Sequence, residues 1–390
     1  MRRKWIITSV AILLLVVGYY VGPGGSPVMD EADYDAFVAY IFNQLLPEKS
    51  GIYPLTEQTA IALDADGNRI AYIGFSESMG YGGPMLVGTI VEPDGSVRMP
   101  VVLQHNETPM FLHMVLANLY QYIGMSASSA FTLGYDLDNV SGATMTKRAI
   151  SYAVRDSAHS IVEDMFDKEV ALYEEQWNFG LQEVVVILLF GLSVAVSQVK
   201  KLQKHRFALL CLSAVVLGFW LNRVISITQF SSMFLGFFPS PRTNMLLYIV
   251  LLGAILPIFV LGKNLYCSFL CPFCGVQEIA HKISKKNISL GKNRIWFARL
   301  RNLLLFAMLM AAMLTANAGA FVFEPFGVIF GLYLGATPFV LALTAAFIVL
   351  SFAFRRLWCV GFCPVGGLLD LVREWVNDMK RGFGNSASKK

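Results

Sequence analysis

Histidine is scarce in this chain, charge is thin, and cysteine is missing from the first half altogether. None of the five histidines falls inside an apolar run: His105, His113 and His159 lie in the acid-bearing stretch, His205 and His281 beside basic clusters. A bis-histidine haem needs two imidazoles facing each other within the membrane, so the pattern argues against haem b. The six cysteines begin at Cys211, which excludes disulfide stapling of residues 25–178. No phosphate-binding P-loop, catalytic triad or zinc motif is present. Charged residues make up only 15% of the chain. The net charge of +4 comes from basic clusters at the ends of apolar runs, so it speaks for membrane topology rather than nucleic acid.

What is abundant is apolar: 55% hydrophobic residues and a mean hydropathy of +0.56, the composition of a membrane protein. Six runs approach the roughly 20 residues a bilayer-crossing helix needs, near Trp5–Val21, Val184–Val199, Phe207–Ile227, Met245–Leu261, Leu303–Phe321 and Ala336–Phe354. Arg2, Arg3 and Lys4 precede the first, and Gly22-Pro23-Gly24-Gly25 follows it without a small-x-small cleavage site, so it reads as an uncleaved signal anchor. Basic clusters at 200–206, 282–301, 355–356 and 389–390 all fall on the same side as the N-terminus if there are six spans. Both termini are then cytoplasmic, and residues 25–178 lie outside. The expected segments are 1–24 (anchor), 25–178 (soluble domain), 179–206 (second span and loop), and two membrane segments, 207–298 and 299–390.

The soluble stretch opens with an amphipathic pattern from Asp30 to Leu46. Alternating runs Thr59–Leu63 and Ile70–Phe75 flank Asp66-Gly67, and Leu86–Val91 and Val97–Leu103 flank Asp94-Gly95, which reads as two hairpins. Between them lies Gly80-Tyr81-Gly82-Gly83-Pro84, whose glycines Gly82 and Gly83 let a backbone approach a planar ligand, or simply turn. Glu107-Thr108-Pro109 opens a helix over Met110–Ile123, with Thr108 as N-cap. A second helix is predicted over Met145–Phe166, preceded by Asp138-Asn139-Val140-Ser141-Gly142-Ala143-Thr144. The first turn of a helix carries unpaired N–H groups and a partial positive charge, so a phosphate on the Thr144 hydroxyl would be well seated.

Five of the cysteines cluster at the cytoplasmic ends of two runs. Cys267-Ser-Phe-Leu-Cys271-Pro272 and Cys359-Val-Gly-Phe-Cys363-Pro364 are one C-x-x-x-C-P motif repeated 92 residues apart, and Gly275 pairs with Gly367. The last four spans thus read as a tandem repeat in parallel orientation. C-x-x-x-C-P is the tail of the bacterial ferredoxin pattern, and the two copies together supply the four thiols that an iron–sulfur cluster needs. One shared cluster, one metal, or dithiol pairs are all open. Cys274 has only Gly366 opposite it and is set outside this group; Cys211 reads as an ordinary buried thiol. Arg223 and Glu324, near the outer ends of the third and fifth runs, either bind a quinone head group or snorkel to the interface.

The Asp-x-x-Ser-Gly-Ala-Thr segment resembles the site at which a flavin transferase attaches FMN, the phosphate joining the last threonine. The resemblance implies covalent FMN on Thr144, with Asp138, Ser141, Gly142 and Ala143 around it and Gly82, Gly83, Glu107 and Thr108 nearby. With the twin cysteine motifs, the chain resembles the NosR/NirI-type membrane flavoproteins over nearly its whole length. It ends about 26 residues after Pro364 with no further cysteine, closest to the short RdhC/PceC type encoded beside reductive dehalogenases. The fold implied is an α-helical integral membrane protein of six spans, with an extracytoplasmic α+β FMN-binding domain inserted after the first. The function implied is electron transfer in a bacterial cytoplasmic (inner) membrane, from the (mena)quinol of the quinone pool to an extracytoplasmic reductase such as an organohalide reductase. A maturation or redox-regulatory protein is the rival. An ion-pumping subunit would need acids deep in several spans, and almost none are there.

Overall fold

The computed structural model describes residues 11, 13–17, 42–49, 51–56, 58–107, 109–140, 143–166, 170, 177, 179–236, 238–239, 241–242, 244–284, 288–315, 318–319, 323–331 and 338–387. Two compact units emerge, one holding the soluble stretch and the other holding most of the apolar helices.

In the first unit, five strands form an antiparallel meander in the order β1-β2-β3-β4-β5. They are β1 (Gly51–Pro54), β2 (Thr59–Leu63), β3 (Arg69–Met79), β4 (Pro84–Val91) and β5 (Val97–His105). Side-chain chemistry fixes the turns. The Asp64 carboxylate accepts the amides of Asp66 (2.9 Å) and Asn68 (2.8 Å), and Gly67 supplies the positive φ of +83°. Asp94 accepts the amide of Ser96 at 2.9 Å, with Gly95 at +87°. The two expected hairpins are present, but β3 runs on to Met79 and pairs with β4 along its length. The glycine-rich segment is therefore the tip of a third hairpin, closed by the Gly80 amide donating to the Gly83 carbonyl at 2.8 Å.

The sheet buries both faces, as its period-2 pattern requires. On one side Ile61, Tyr72, Met85, Val87 and Val91 meet a long helix, α2 (Thr144–Met165), through Ala149, Ile150, Ala153, Val154 and Ile161. On the other, Ala60, Ala62, Ala71, Ile73 and Ile90 pack with Phe42 and Leu46, the end of the amphipathic stretch; the rest of Asp30–Leu46 lies outside the described residues. Each fully buried aliphatic side chain contributes roughly 1.5–3 kcal/mol. α2 comes so close to β3 that a Cβ on Gly74 would stand 2.3 Å from the Ser157 carbonyl oxygen. The helix expected over Met110–Ile123 is shorter, α1 (Pro109–Leu116), followed by a separate 3₁₀ turn at Leu119–Tyr122.

The rest of the described chain is helical, and most of it belongs to the second unit. α3 (Leu181–Gln198) is followed by a continuous helical stretch Lys200–Trp220, built of a 3₁₀ turn, α4 (Arg206–Ser213) and a π turn (Ala214–Trp220). α5 (Ile227–Phe234), α6 (Met245–Leu261), a π turn at Tyr266–Leu270 and α7 (Pro272–Ser284) come next. α8 (Arg294–Thr315), α9 (Phe326–Phe330), α10 (Pro338–Ala353), α11 (Leu357–Gly361) and α12 (Pro364–Ala387) complete the order. Among the described residues three helices have the length and apolarity to cross a bilayer: Leu181–Gln198, Lys200–Trp220 and Gly291–Thr315; Met245–Leu261 and Pro338–Ala353 are shorter. The protein is a membrane protein carrying a sheet-based domain. Exposed Leu188, Leu252, Val260 and Val349 give the helices the apolar outer surface that lipid demands.

Two expected spans are corrected. The run Phe207–Ile227 does not stay helical to its end: the helix stops at Trp220, and Asn222 adopts φ +47°. The run Leu303–Phe321 starts earlier, at Arg294, and is helical through Thr315; residues 316–317 and 320–322 lie outside the described residues. Long arginine stems let Arg294, Arg299 and Arg301 belong to a helix rather than the loop assigned to them. Of the first run, Trp5–Val21, only Ala11 and Leu13–Val17 are described, and these are helical.

Candidate functional site

The first candidate centre lies at the start of α2. Thr144 is its first residue and is partly exposed, with its hydroxyl 3.4 Å from the Val140 carbonyl oxygen. Ala143 stands at the N-cap and offers no side-chain acceptor, so the first-turn amides are not capped by that residue. Ser141, Gly142 and Thr108 lie outside the described residues. Asp138 is exposed and accepts a hydrogen bond from Gln121 Nε2 at 3.2 Å.

Glu107 is buried beneath the glycine hairpin tip. It is 4% exposed; Oε1 accepts the Gly82 amide at 2.9 Å, and Oε2 accepts the Thr146 hydroxyl. The carboxyl thus ties the glycine hairpin tip to α2, two residues beyond Thr144. Burial pushes it above the usual carboxylate range, against the pull of those two donors. The glycines serve the same junction. A Cβ on Gly82 would lie 2.0 Å from the Asn106 carbonyl oxygen, and one on Gly80 2.1 Å from Glu107 Oε1, while Gly83 holds φ +147°. Gly82 and Gly83 read from the sequence as either a ligand approach or a plain turn; in the structure they form a turn that leaves room for the Asn106–Glu107 backbone.

Thr146 and Lys147 were missed. Lys147 is fully buried, with Nζ 3.3 Å from the Asn118 carbonyl oxygen and 4.4 Å from the Tyr122 ring centre. Burial lowers its pKa from 10.5 to about 8, with Asp138 opposing. The signal was its place three residues after Thr144, one helical turn along. A helix start without a side-chain N-cap, a partly exposed threonine hydroxyl on its first residue and a buried cation one turn on fit the phosphate end of FMN.

The second candidate centre joins the two cysteine motifs, whose backbones follow the same path. The Cys271 amide donates to the Tyr266 carbonyl at 2.7 Å, and the Cys363 amide to the Trp358 carbonyl at 2.9 Å. Pro272 and Pro364 open α7 and α12, where a missing N–H costs nothing. Gly275 and Gly367 each donate to the first helix carbonyl, that of Cys271 and Cys363, at 3.1 Å. Each copy is held by an arginine and an acid. Arg206 donates to the Ser268 carbonyl (3.0 Å) and pairs with Glu278 (3.0 Å). Arg301 donates to the Cys359 carbonyl (3.2 Å) and pairs with Asp370 (3.0 Å). Arg355 and Arg356 also reach Glu278, at 3.1 and 2.6 Å, leaving the centre with more positive than negative charge.

Cys271, Cys274 and Cys363 are buried, and Cys267 and Cys359 partly so. Cys267, Cys271, Cys359 and Cys363 lie within electrostatic range of one another. Cys274 belongs with them, contrary to expectation: its sulfur is 3.6 Å from that of Cys359. It was set aside for lacking a counterpart in the second copy, but its neighbour is a different position of that copy. N–H donors reach the sulfurs, Gln277 Nε2 to Cys359 at 3.2 Å and the Gly366 amide to Cys363 at 3.3 Å. No three His, Cys, Asp or Glu among the described residues converge on a single-ion site. A cluster spreads its ligands over separate irons, and buried thiols with N–H donors and surplus positive charge suit its anionic thiolates.

The suggested quinone-site residues Arg223 and Glu324 make their contacts at either end of the non-helical segment before α5. Both Glu324 oxygens accept the Ile227 amide (3.1 and 3.3 Å), holding the non-helical segment before α5. Arg223 stands just past the π turn, its amide bonded to the Leu217 carbonyl at 2.8 Å.

The FMN-binding domain family matches residues 80–159, and the 4Fe-4S binding domain family matches 243–291 and 336–382. Among relatives, the chain is 25% identical over 237 residues to the protein NirI of Paracoccus denitrificans, covering 53% of this chain and 34% of NirI. It is 24% identical over 216 residues to the regulatory protein NosR of Pseudomonas aeruginosa, covering 51% and 30%. It is 37% identical over 118 residues to the methylamine utilization ferredoxin-type protein MauN of Paracoccus denitrificans, covering 29% and 40%. The matched stretch thus spans only 30–40% of these relatives' lengths.

Proposed function

We propose that this NosR/NirI-type membrane flavoprotein carries its FMN as a phosphodiester on Thr144 and delivers electrons from quinol to an extracytoplasmic reductase. Its class, a membrane flavoprotein of electron transfer, rests on the two matched domain families and the NirI and NosR relatives. The observation that carries the attachment site is Thr144 as the first residue of α2, partly exposed and with no side-chain cap before it. When bound, FMN supplies storage for one or two electrons. The chain's own groups do the rest. First-turn amides of α2 bind the phosphate. Glu107 fixes the hairpin tip against the same helix, and Lys147 supplies positive charge one turn away. In the proposed topology six spans keep both termini cytoplasmic and the flavin domain outside, with the last four spans a tandem repeat. A flavin transferase attaches the FMN, and the partner reductase is of the organohalide class suggested by the RdhC/PceC-like pattern. Cys267, Cys271, Cys359 and Cys363 are the proposed iron–sulfur ligands. On this topology they lie across about 30 Å of hydrocarbon from the flavin, too far for one electron step.

Intact mass of the protein made in a host with a flavin transferase tests the attachment. One added FMN phosphodiester, absent from Thr144→Ala, is expected; an unmodified Thr144 in a competent host overturns it. That the NosR relative is a regulatory protein favours a second reading, maturation or redox control of a secreted metalloenzyme. Deleting the gene separates the two. Loss of electron supply leaves the partner reductase cofactor-replete but idle with quinol, whereas a maturation defect leaves it cofactor-poor.

A further inference from the structure

We propose that Cys274 and Cys359 are a redox-active dithiol pair that closes to a disulfide linking the two cysteine-motif segments. Their sulfurs are 3.6 Å apart, in contact but unbonded. A disulfide needs about 2.05 Å, so the sulfurs must approach by about 1.5 Å, within reach of side-chain rotation. Both backbones are held for that approach. Cys274 is on the first turn of α7 and 1% exposed. Gln277, one turn on, accepts the Trp358 amide at 3.1 Å while donating to the Cys359 sulfur at 3.2 Å. One glutamine therefore keeps the two segments in register and holds the Cys359 sulfur beside that of Cys274. The Arg301 guanidinium on the Cys359 carbonyl adds a second restraint and a positive charge. The residue before Cys359 is fixed as well: the rings of Phe273, Phe347 and Phe362 all pack on Trp358, which is fully buried. Gly366 occupies the position matching Cys274 in the second copy, so the two copies form one such pair and not two.

The reaction balances as follows. The two S–H bonds break, one S–S bond forms, and two electrons and two protons pass to a quinone, which becomes quinol; a dithiol reductant reverses it. Disulfides facing a reducing cytoplasm are characteristically transient, which suits a switch or carrier rather than a staple. The inference does not depend on iron at the motif thiols, although a Cys359 sulfur in a disulfide is lost as an iron ligand. Oxidised pair and complete four-thiol cluster therefore exclude each other.

The test uses the full-length protein in detergent, oxidised with duroquinone, whose fully substituted ring cannot readily alkylate thiols. A second sample is reduced with dithiothreitol. Free thiols are blocked with N-ethylmaleimide, and the digests are read by mass spectrometry, with iron measured on the same samples. The expected result is a peptide linked through Cys274 and Cys359 after duroquinone, absent after dithiothreitol and absent from Cys274→Ser and Cys359→Ser. Iron per protein in Cys274→Ser should equal that of the wild type. No linked peptide in the oxidised wild type overturns the proposal. If iron is present in that case, the cluster reading survives alone; if iron is absent too, both fall. Loss of iron in Cys274→Ser also overturns it, making Cys274 a metal ligand.

Discussion

Replacing Glu107 by leucine removes the brace between the glycine hairpin and the flavin helix while nearly keeping the side-chain volume. Two donors then lose their acceptor in a buried site: the Gly82 amide and the Thr146 hydroxyl. The amide is fixed by the backbone and suffers the full penalty of an unsatisfied buried donor, about 1–3 kcal/mol. The hydroxyl can rotate towards a carbonyl of its own helix, so it adds the net worth of one hydrogen bond, about 1 kcal/mol. The total, about 2–4 kcal/mol, lowers the Tm of a domain this size by roughly 5–15 °C. Glu107→Gln should cost far less. Its carbonyl serves the Gly82 amide, and its NH₂ donates to a Thr146 hydroxyl that now accepts. Glutamine also removes a pH dependence. Burial raises the folded carboxyl above 4.5, so the folded domain holds this proton more tightly than the unfolded chain. Stability from this group is full below about 4.5 and lost as pH rises through the raised value; in Glu107→Gln that slope is gone. Thermal unfolding of the solubilised protein across pH, with FMN loading by a flavin transferase, reads all three. A Glu107→Leu protein that melts within 2 °C of wild type and loads FMN fully would refute the brace.

Gly82→Ala places a methyl 2.0 Å from the Asn106 carbonyl oxygen, a backbone clash that no rotamer relieves. It should cost about 1–3 kcal/mol and depress FMN loading, whereas Gly191→Ala, on α3 with open space around its Cβ and no positive φ, should load normally; equal loading of the two would contradict this. For Lys147, burial sets the amine at about 8 against an ordinary 10.5. The folded domain carries the penalty of a buried charge below about 8, and sheds it as pH rises towards 10.5, where the unfolded chain still holds the proton. Stability from this group should rise over that window in the wild type and stay flat in Lys147→Met, as unfolding midpoints at its two ends would show.

The parts of the fold legible in the sequence are those set by near neighbours. Asp64 and Gly67 close one turn by themselves, so the hairpin could be read from five residues. Met245–Leu261 was bounded correctly at both ends because Gly262, at φ +66°, terminates it locally. What escaped was set from far along the chain. The apolar run to Ile227 looks like one straight helix, yet Glu324, 97 positions later, takes the Ile227 amide and supports a break. Likewise the purpose of Gly82 depends on Asn106 and Glu107, and a glycine-rich string cannot announce which backbone it makes room for.

The cysteine centre shows the limit of reasoning by repeat. Features that recur 92 residues apart, namely the two prolines, Gly275 with Gly367 and Glu278 with Asp370, all serve geometry: they start helices, close first turns or anchor arginines. A repeated element tends to be structural because both copies face the same folding problem. Cys274 was set aside for breaking the pattern, yet the break brings its sulfur to Cys359, a contact between unlike positions of the two copies. An internal match therefore locates the scaffold, while a reactive pair across the junction needs only one partner from each side. In this chain the departures from symmetry, Cys274 against Gly366 and Gln277 against Leu369, are the positions that touch the Cys359 sulfur.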